Sequence, residues 1–429
     1  MMNQSLDRKT PPATSEFHSL DLPPMRATIP DNGLKLNIID YGSQEVSRLT
    51  AIWDGGKAET ADNPTALNLA TAMLREGTST MTGHEISETL DFNGAWFSSS
   101  INDHTTSVNL FSLNSKFDEP IEILRQIITD SIFPENEFLA YREQSAQTMA
   151  INLQKVSYLC NIERSKLVLG EKHPLSAVSS PDDIRGITND DVKSAYSRIF
   201  LASLPTVYLS GRITHEIETK AIAALSTLPF PNVDVSLDIR PFSQAAEHRK
   251  SVKVENAVQT AISISLPTIG RHHPDYIKLR LLMTLLGGFF GSRLTKNIRE
   301  DKGYTYGISA GLLGMREGGL IEITTQCGND YTELVIEEVR KELRRLSTDG
   351  FSSEEVSALR KYALSNLATT LDSPFSISEA YQLTQNYDAP ADYYARQFEA
   401  ASAINGSILT EIARRYIDPD KFFIVTVGG

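Results

Sequence analysis

In the segment NIREDKGYTYG, Arg299 and Tyr306 stand seven residues apart. A guanidinium offers a fork of N–H donors and a phenol one O–H. These are the donor types that hold a peptide carbonyl or a developing oxyanion. The spacing predicts a helix that carries Arg299 and is capped at Gly303, followed by a strand opening with Tyr304, Thr305 and Tyr306. Strand alternation puts Tyr304 and Tyr306 on one side of the sheet and Thr305 on the other. Read by itself, the segment is more simply a surface arginine near a helix end and two half-buried tyrosines.

Other groupings of reactive side chains are weaker. In GHEISE, His84 and Glu88 share a helix face, but a zincin helix needs a second imidazole one turn from the first, and none is present. A solvated amphipathic helix accounts for it. The pair His272-His273 precedes Pro274 and reads as a surface turn, since consecutive side chains diverge. His18, His104, His173, His215 and His248 are scattered singly, so local spacing builds no metal site. LLGGFFGSRL is glycine-rich but follows an apolar helical run and lacks G-K-[ST], which excludes a nucleotide loop and points to close backbone packing or a bend. Cys160 and Cys327 lie far apart without C-x-x-C, so no disulfide framework or thiolate zinc site is indicated. The early helix ALNLATAMLREGT, Ala66–Thr78, has no His or Cys, and its one carboxylate, Glu76, comes at its end.

The elements that must position these residues are written twice. FPENEFLAYR matches FSSEEVSALR, with Phe133 and Phe351 218 residues apart. The second copy carries a capping box (Ser352, Glu355) and a staple of Phe351 on Val356. RIFLASLPTVYLSG matches RYIDPDKFFIVTVG, with Arg198 and Arg415, and likewise Gly211 and Gly428, 217 apart. Gly94 and Gly303, 209 apart, each end a helix and lead into a strand. SRLTAIWDGG and AISISLPTIG read as strands near the start of each half. Strands segregated from helices predict an α+β fold of two homologous halves, each a mainly antiparallel sheet with helices packed on one face. The halves are residues 1–227 and 251–429. The joint between them is residues 228–250, where prolines and charges break the pattern.

With 429 residues, two domains or a duplicated unit are accommodated easily. A net charge of −13 argues against nucleic acid or an anionic membrane as the main partner. No apolar run approaches bilayer length, and the amino-terminal segment lacks the apolar core of a secretory signal, so a cytoplasmic location is expected.

The stretch GGFFGSRLTKNIREDKGYTYGISAGL resembles the second-half signature of the pitrilysin/insulinase family of zinc peptidases, in its short form with two homologous halves. The resemblance implies that Arg299 and Tyr306, with Tyr304 beside them, bind the substrate backbone and that the Arg/Tyr pair stabilises the tetrahedral intermediate. Catalytic members carry H-x-x-E-H on a first-half helix shortly before Gly-Thr. Counting back from Gly77-Thr78 places Asn68 and Ala72 at the two zinc-binding histidines and Thr71 at the general base. The family's third ligand, a Glu, falls near Gln147–Gln154, and Ser145–Ile162 contains no carboxylate. Ala has no donor atom, and Asn and Thr are poor zinc ligands beside imidazole. The resemblance thus implies a degenerate zinc motif: a chain with no cofactor of its own, inactive alone, that supplies Arg299 and Tyr306 in trans to a homologous partner bearing zinc. Peptides or unfolded polypeptides would be the substrate. A non-catalytic scaffold or a peptide-binding homodimer of the same fold is the alternative.

Overall fold

The computed structural model describes residues 19–60, 62–233 and 235–429. His18 and almost all of the segment read as lacking a secretory signal lie outside the described residues. The first half builds a sheet from β1 (Arg26–Thr28), β2 (Lys35–Asp40), β3 (Val46–Asp54), β4 (Trp96–Ile101), β5 (Thr105–Leu113) and β6 (Thr206–Gly211), ordered β1-β2-β6-β3-β5-β4. The second builds one from β7 (Arg249–Lys253), β8 (Gln259–Thr268), β9 (Thr305–Gly314), β10 (Gly319–Gly328) and β11 (Phe423–Gly428), ordered β7-β11-β8-β10-β9. Apart from β1, this is one strand order written twice. In both halves the last strand lies parallel beside the first, β6 on β2 and β11 on β7, and every other pair is antiparallel.

The helices repeat in the same way. The first half contributes α1 (Pro64–Ala72), α2 (Gly83–Phe92), α3 (Asp118–Asp130), α4 (Glu135–Asn152), α5 (Val156–Leu169), α6 (Pro181–Gly186), α7 (Asn189–Phe200) and α8 (His215–Leu225). The second contributes α9 (Tyr276–Met283), α10 (Thr332–Thr348), α11 (Ser353–Ala368), α12 (Pro374–Asn386), α13 (Tyr393–Ala403) and α14 (Gly406–Tyr416). The starts of α4 and α11, and of α5 and α12, are each 218 residues apart, the spacing of the repeated sequence. Local chemistry sets these starts. Asn63 caps α1 with Pro64 in its first turn, and capping boxes open α2 (Thr82, Glu85) and α11 (Ser352, Glu355). The α+β architecture of two homologous halves therefore holds. Among the described residues, 226–248 contain no helix or strand.

Each sheet packs its helices on one face, around Trp53, Leu110, Ile127 and Phe200 in the first half and Ile264, Ile323, Val339 and Leu343 in the second. On the opposite face the halves exchange a helix. Helix α5 crosses to β8 and β11, burying Cys160 and Val168 against Phe423, Val425 and Val427. Helix α12 crosses back to β2 and β6, burying Ile377 against Ile39 and Tyr208. That exchange explains why β6 and β11 are buried along almost every residue, whereas β9, beyond the reach of α5, alternates buried with exposed.

Candidate functional site

Strand β9 is the free edge of the second sheet. Opposite Gln326 it carries one extra residue: Thr305 pairs with Cys327, but Ile308 pairs with Thr325. Such a bulge bends a strand and re-aims its side chains. Thr305 and Thr325 hold it in place. The Thr305 hydroxyl donates to the Gln326 carbonyl at 2.6 Å and accepts from the Gly307 N–H at 3.1 Å, while the Thr325 hydroxyl donates to the Gly307 carbonyl at 2.8 Å. Tyr306 is turned out of the sheet and is 92 % exposed.

The expectation from alternation, that Tyr304 and Tyr306 share a face, is corrected here. Tyr304 precedes the strand, its ring stacks on Tyr331 at 5.0 Å, and it packs half-buried against the second-half core. Alternation fails because it presumes a regular strand on both sides of Thr305. The strand starts only there, and the bulge resets the pleat directly afterwards.

Tyr306 stands at the rim of a cleft of about 710 Å³ between α5 and the open face of β8, β10 and β9. Polar side chains that can pair with peptide groups line it, among them Ser157, Asn161, Ser263, Thr324 and Gln326. Glu322 in its wall is paired with Arg164 at 3.0 Å. Burial pushes the Cys160 thiol, also in the lining, up to about 12, which disfavours its thiolate form. No local pattern in the sequence joins these residues, because α5 belongs to the other half of the chain.

Arg299 lies on a π-helical turn, Thr295–Asp301. It is exposed, with its guanidinium over the Phe290 ring at 5.1 Å, and it is not among the residues lining the cleft. The preceding glycines serve close packing, as expected. A Cβ on Gly287, in the π-turn Thr284–Gly288, would meet the Ala310 backbone nitrogen at 2.5 Å, so glycine lets this turn lie directly on β9.

On α1, Asn68 and Ala72 are both exposed, as residues four apart on one helix face must be. Thr71 points inward. Its hydroxyl is buried without a partner among the described residues, and its carbonyl accepts from Ser99 at 3.0 Å. Gln147 on α4 is exposed and donates to Glu143 at 3.2 Å. These residues do not fit a zinc ion, for want of imidazole or carboxylate donors facing a common point. Among the described residues no three His, Cys, Asp or Glu side chains form a group able to hold a metal. His84 and Glu88 are solvated on α2, and His272 and His273 are exposed in a turn.

Residues 186–362 match the Peptidase M16 inactive domain. The resemblance to the pitrilysin/insulinase family, and within it to subunits without zinc, therefore holds. The chain is similar in fold to the structure of a peptidase M16 inactive domain from Pseudomonas fluorescens, with a TM-score of 0.85 and 21% identity over 94% of this chain and 98% of that one. Among relatives by sequence, an uncharacterized zinc protease of Bacillus subtilis is 19% identical over 80% of this chain and 83% of its own. A protein of Helicobacter pylori described as a non-peptidase homolog is 24% identical over 59% of each chain. No helix among the described residues is long and apolar enough to cross a membrane.

Proposed function

We propose that this chain is the zinc-lacking subunit of a two-subunit peptidase. It binds an extended peptide along β9 and presents Tyr306, with Arg299 from the neighbouring π-turn, to a peptide held at the metal site of a homologous partner. The observation that carries this reading is the position of Tyr306. A bulge fixed by two threonines aims a large amphipathic side chain into solvent at the mouth of a polar cleft. Leaving so large a ring exposed contributes little to folding, whereas its O–H is free to donate to a carbonyl. The family resemblance puts Asn68, Thr71 and Ala72 at the positions of a catalytic subunit's metal ligands and base, and their want of zinc-binding atoms supports giving hydrolysis to the partner.

The test is peptide hydrolysis with zinc quantified, for this chain alone, for a homologous zinc-bearing chain, and for the mixture. The reading requires a metal-free, inert chain that accelerates cleavage by its partner, with the gain lost in Tyr306→Phe. A chain that binds stoichiometric zinc and cleaves alone refutes it. A mixture no faster than the partner leaves the scaffold or peptide-binding homodimer, a role that the Helicobacter pylori relative's description also fits.

A further inference from the structure

The two sheets meet at a buried histidine that the proposed function does not use. His104 lies in the turn between β4 and β5, and Glu317 lies in the turn between β9 and β10. Those are equivalent hairpins of the two halves. The His104 ring is 4 % exposed and bridges two carboxylates, Nδ1 to Glu59 Oε1 at 2.7 Å and Nε2 to Glu317 Oε1 at 2.6 Å. Glu59, on the loop after β3, has other donors in the Gly56 N–H at 2.8 Å and the Asp238 N–H at 3.2 Å. Glu317 differs: its side chain is fully buried, and its second oxygen has no partner. His104 is its one hydrogen-bond donor among the described residues.

Two carboxylates on opposite ring nitrogens need two N–H donors, and only the imidazolium has both. We propose that Glu59, His104 and Glu317 form a proton-locked clamp between the halves, and that loss of the His104 proton releases the β9–β10 turn. A neutral ring donates to one side only. A nitrogen lone pair then faces a carboxylate oxygen across the other short contact, and a buried carboxylate without a donor is costly enough to drive the turn out. Burial by itself disfavours the charged ring, but the hydrogen bonds it donates to Glu317 and then to Glu59 outweigh it and raise the imidazole to about 9. The lock is therefore closed at neutral pH. Other titratable groups on the packed elements are Lys57, Asp103, Arg316, Asp238, Arg240 and His173. Of these, Asp238 pairs with Arg240 at 2.5 Å, and His173 donates to the Arg240 carbonyl at 3.2 Å. Because β9 and β10 also form one wall of the cleft, release at their far end removes one of the ties between that wall and the first half, leaving the Arg164–Glu322 pair in place. The clamp stands whether or not the cleft binds peptide.

Spin labels on Lys57→Cys and Arg316→Cys report the separation of the two loops, since the native Cys160 and Cys327 are buried. The expected result is one narrow, short distance at pH 7 that gives way to longer distances with a midpoint near 9. Glu317→Gln keeps an acceptor but removes a charge, so the midpoint moves down by roughly one unit or more. Glu317→Ala gives the long distances at pH 7. Distances unchanged at pH 10 in the parent and at pH 7 in Glu317→Ala would overturn the proposal. So would a midpoint in Glu317→Gln equal to that of the parent.

Discussion

Gly94 and Gly303 hold the same left-handed backbone, with φ of +62° and +66°, two residues before the equivalent edge strands β4 and β9. Each closes a helical segment and turns the chain into the strand that carries an exposed aromatic, Trp96 at 60 % and Tyr306 at 92 %. The duplication has kept the joint that leads into each edge strand, while the bulge that turns Tyr306 outward belongs to β9.

A Cβ at Gly303 meets no atom within 4 Å, and at Gly94 only Leu113 at 3.5 Å. Gly303→Ala and Gly94→Ala should therefore each cost backbone strain alone, about 1 kcal/mol, with no steric surcharge. Urea unfolding measures both. A loss of several kcal/mol at either site would mean the turn is not free as described.

Arg48 and Glu379 test the exchange of helices between halves. Arg48 on β3 lies against the rings of Phe111 and Phe375, which also touch each other, and donates to the Phe375 carbonyl at 2.8 Å and to Glu379 at 2.7 Å. Its side chain is 7% exposed against 65% for Glu379. Arg48→Ala should cost roughly 2–4 kcal/mol through the lost packing of a buried side chain and its lost hydrogen bonds. Glu379→Gln should cost well under about 1 kcal/mol, because an exposed carboxylate is largely screened by water. Equal losses would show that the ion pair, rather than the buried stack, joins α12 to the first sheet.

Tyr306→Phe and Arg299→Ala should leave stability within about 0.5 kcal/mol, since both side chains are exposed. Thr305→Val should differ, removing a buried hydroxyl that fixes the bulge and costing about 1–3 kcal/mol. If the proposed function is right, all three reduce turnover of the complex. Only Thr305→Val also lowers the urea midpoint.

Glu338 gives an acid-side prediction. Burial raises its carboxyl, but hydrogen bonds from Lys302, Lys341 and Asn297 outweigh that and hold it near about 2, against an ordinary 4.5. A depressed folded-state value means stability present above about 4.5 and lost as the pH falls toward 2. Lys302, at 2.8 Å from Glu338, directly follows the π-turn of Arg299, so acid loosens that turn's end. The stability difference between the parent and Glu338→Gln should shrink steadily between pH 4.5 and 2. A difference constant with pH would remove Glu338 from the acid response.

On the alkaline side, His104 has the opposite sign. Its folded-state value is raised from 6.5 to about 9, so its contribution is complete below about 6.5 and is lost as the pH rises through 9. Urea midpoints of the parent and His104→Gln should converge across that window. Parallel curves from pH 6 to 10 would show that the bridge does not titrate.

The sequence by itself determined the duplication, the class of fold and the local joints. Repeated anchors 217 and 218 residues apart, capping boxes at Ser352 and a glycine at 303 are local signals, because they follow from backbone conformation and nearest-neighbour hydrogen bonds. It also showed that the helix bearing Asn68 and Ala72 lacks metal-ligand chemistry, which depends only on which atoms a side chain possesses. The separation of Tyr304 from Tyr306 was beyond it. A bulge is decided by the register of β9 on β10, and that register is set by a partner strand, not by the strand's own pattern. The cleft and the clamp were equally hidden. Ser157 shares a cleft with Tyr306, and His104 meets Glu317, only because the two halves pack against each other, and proximity between residues this far apart in the chain leaves no periodic trace along it.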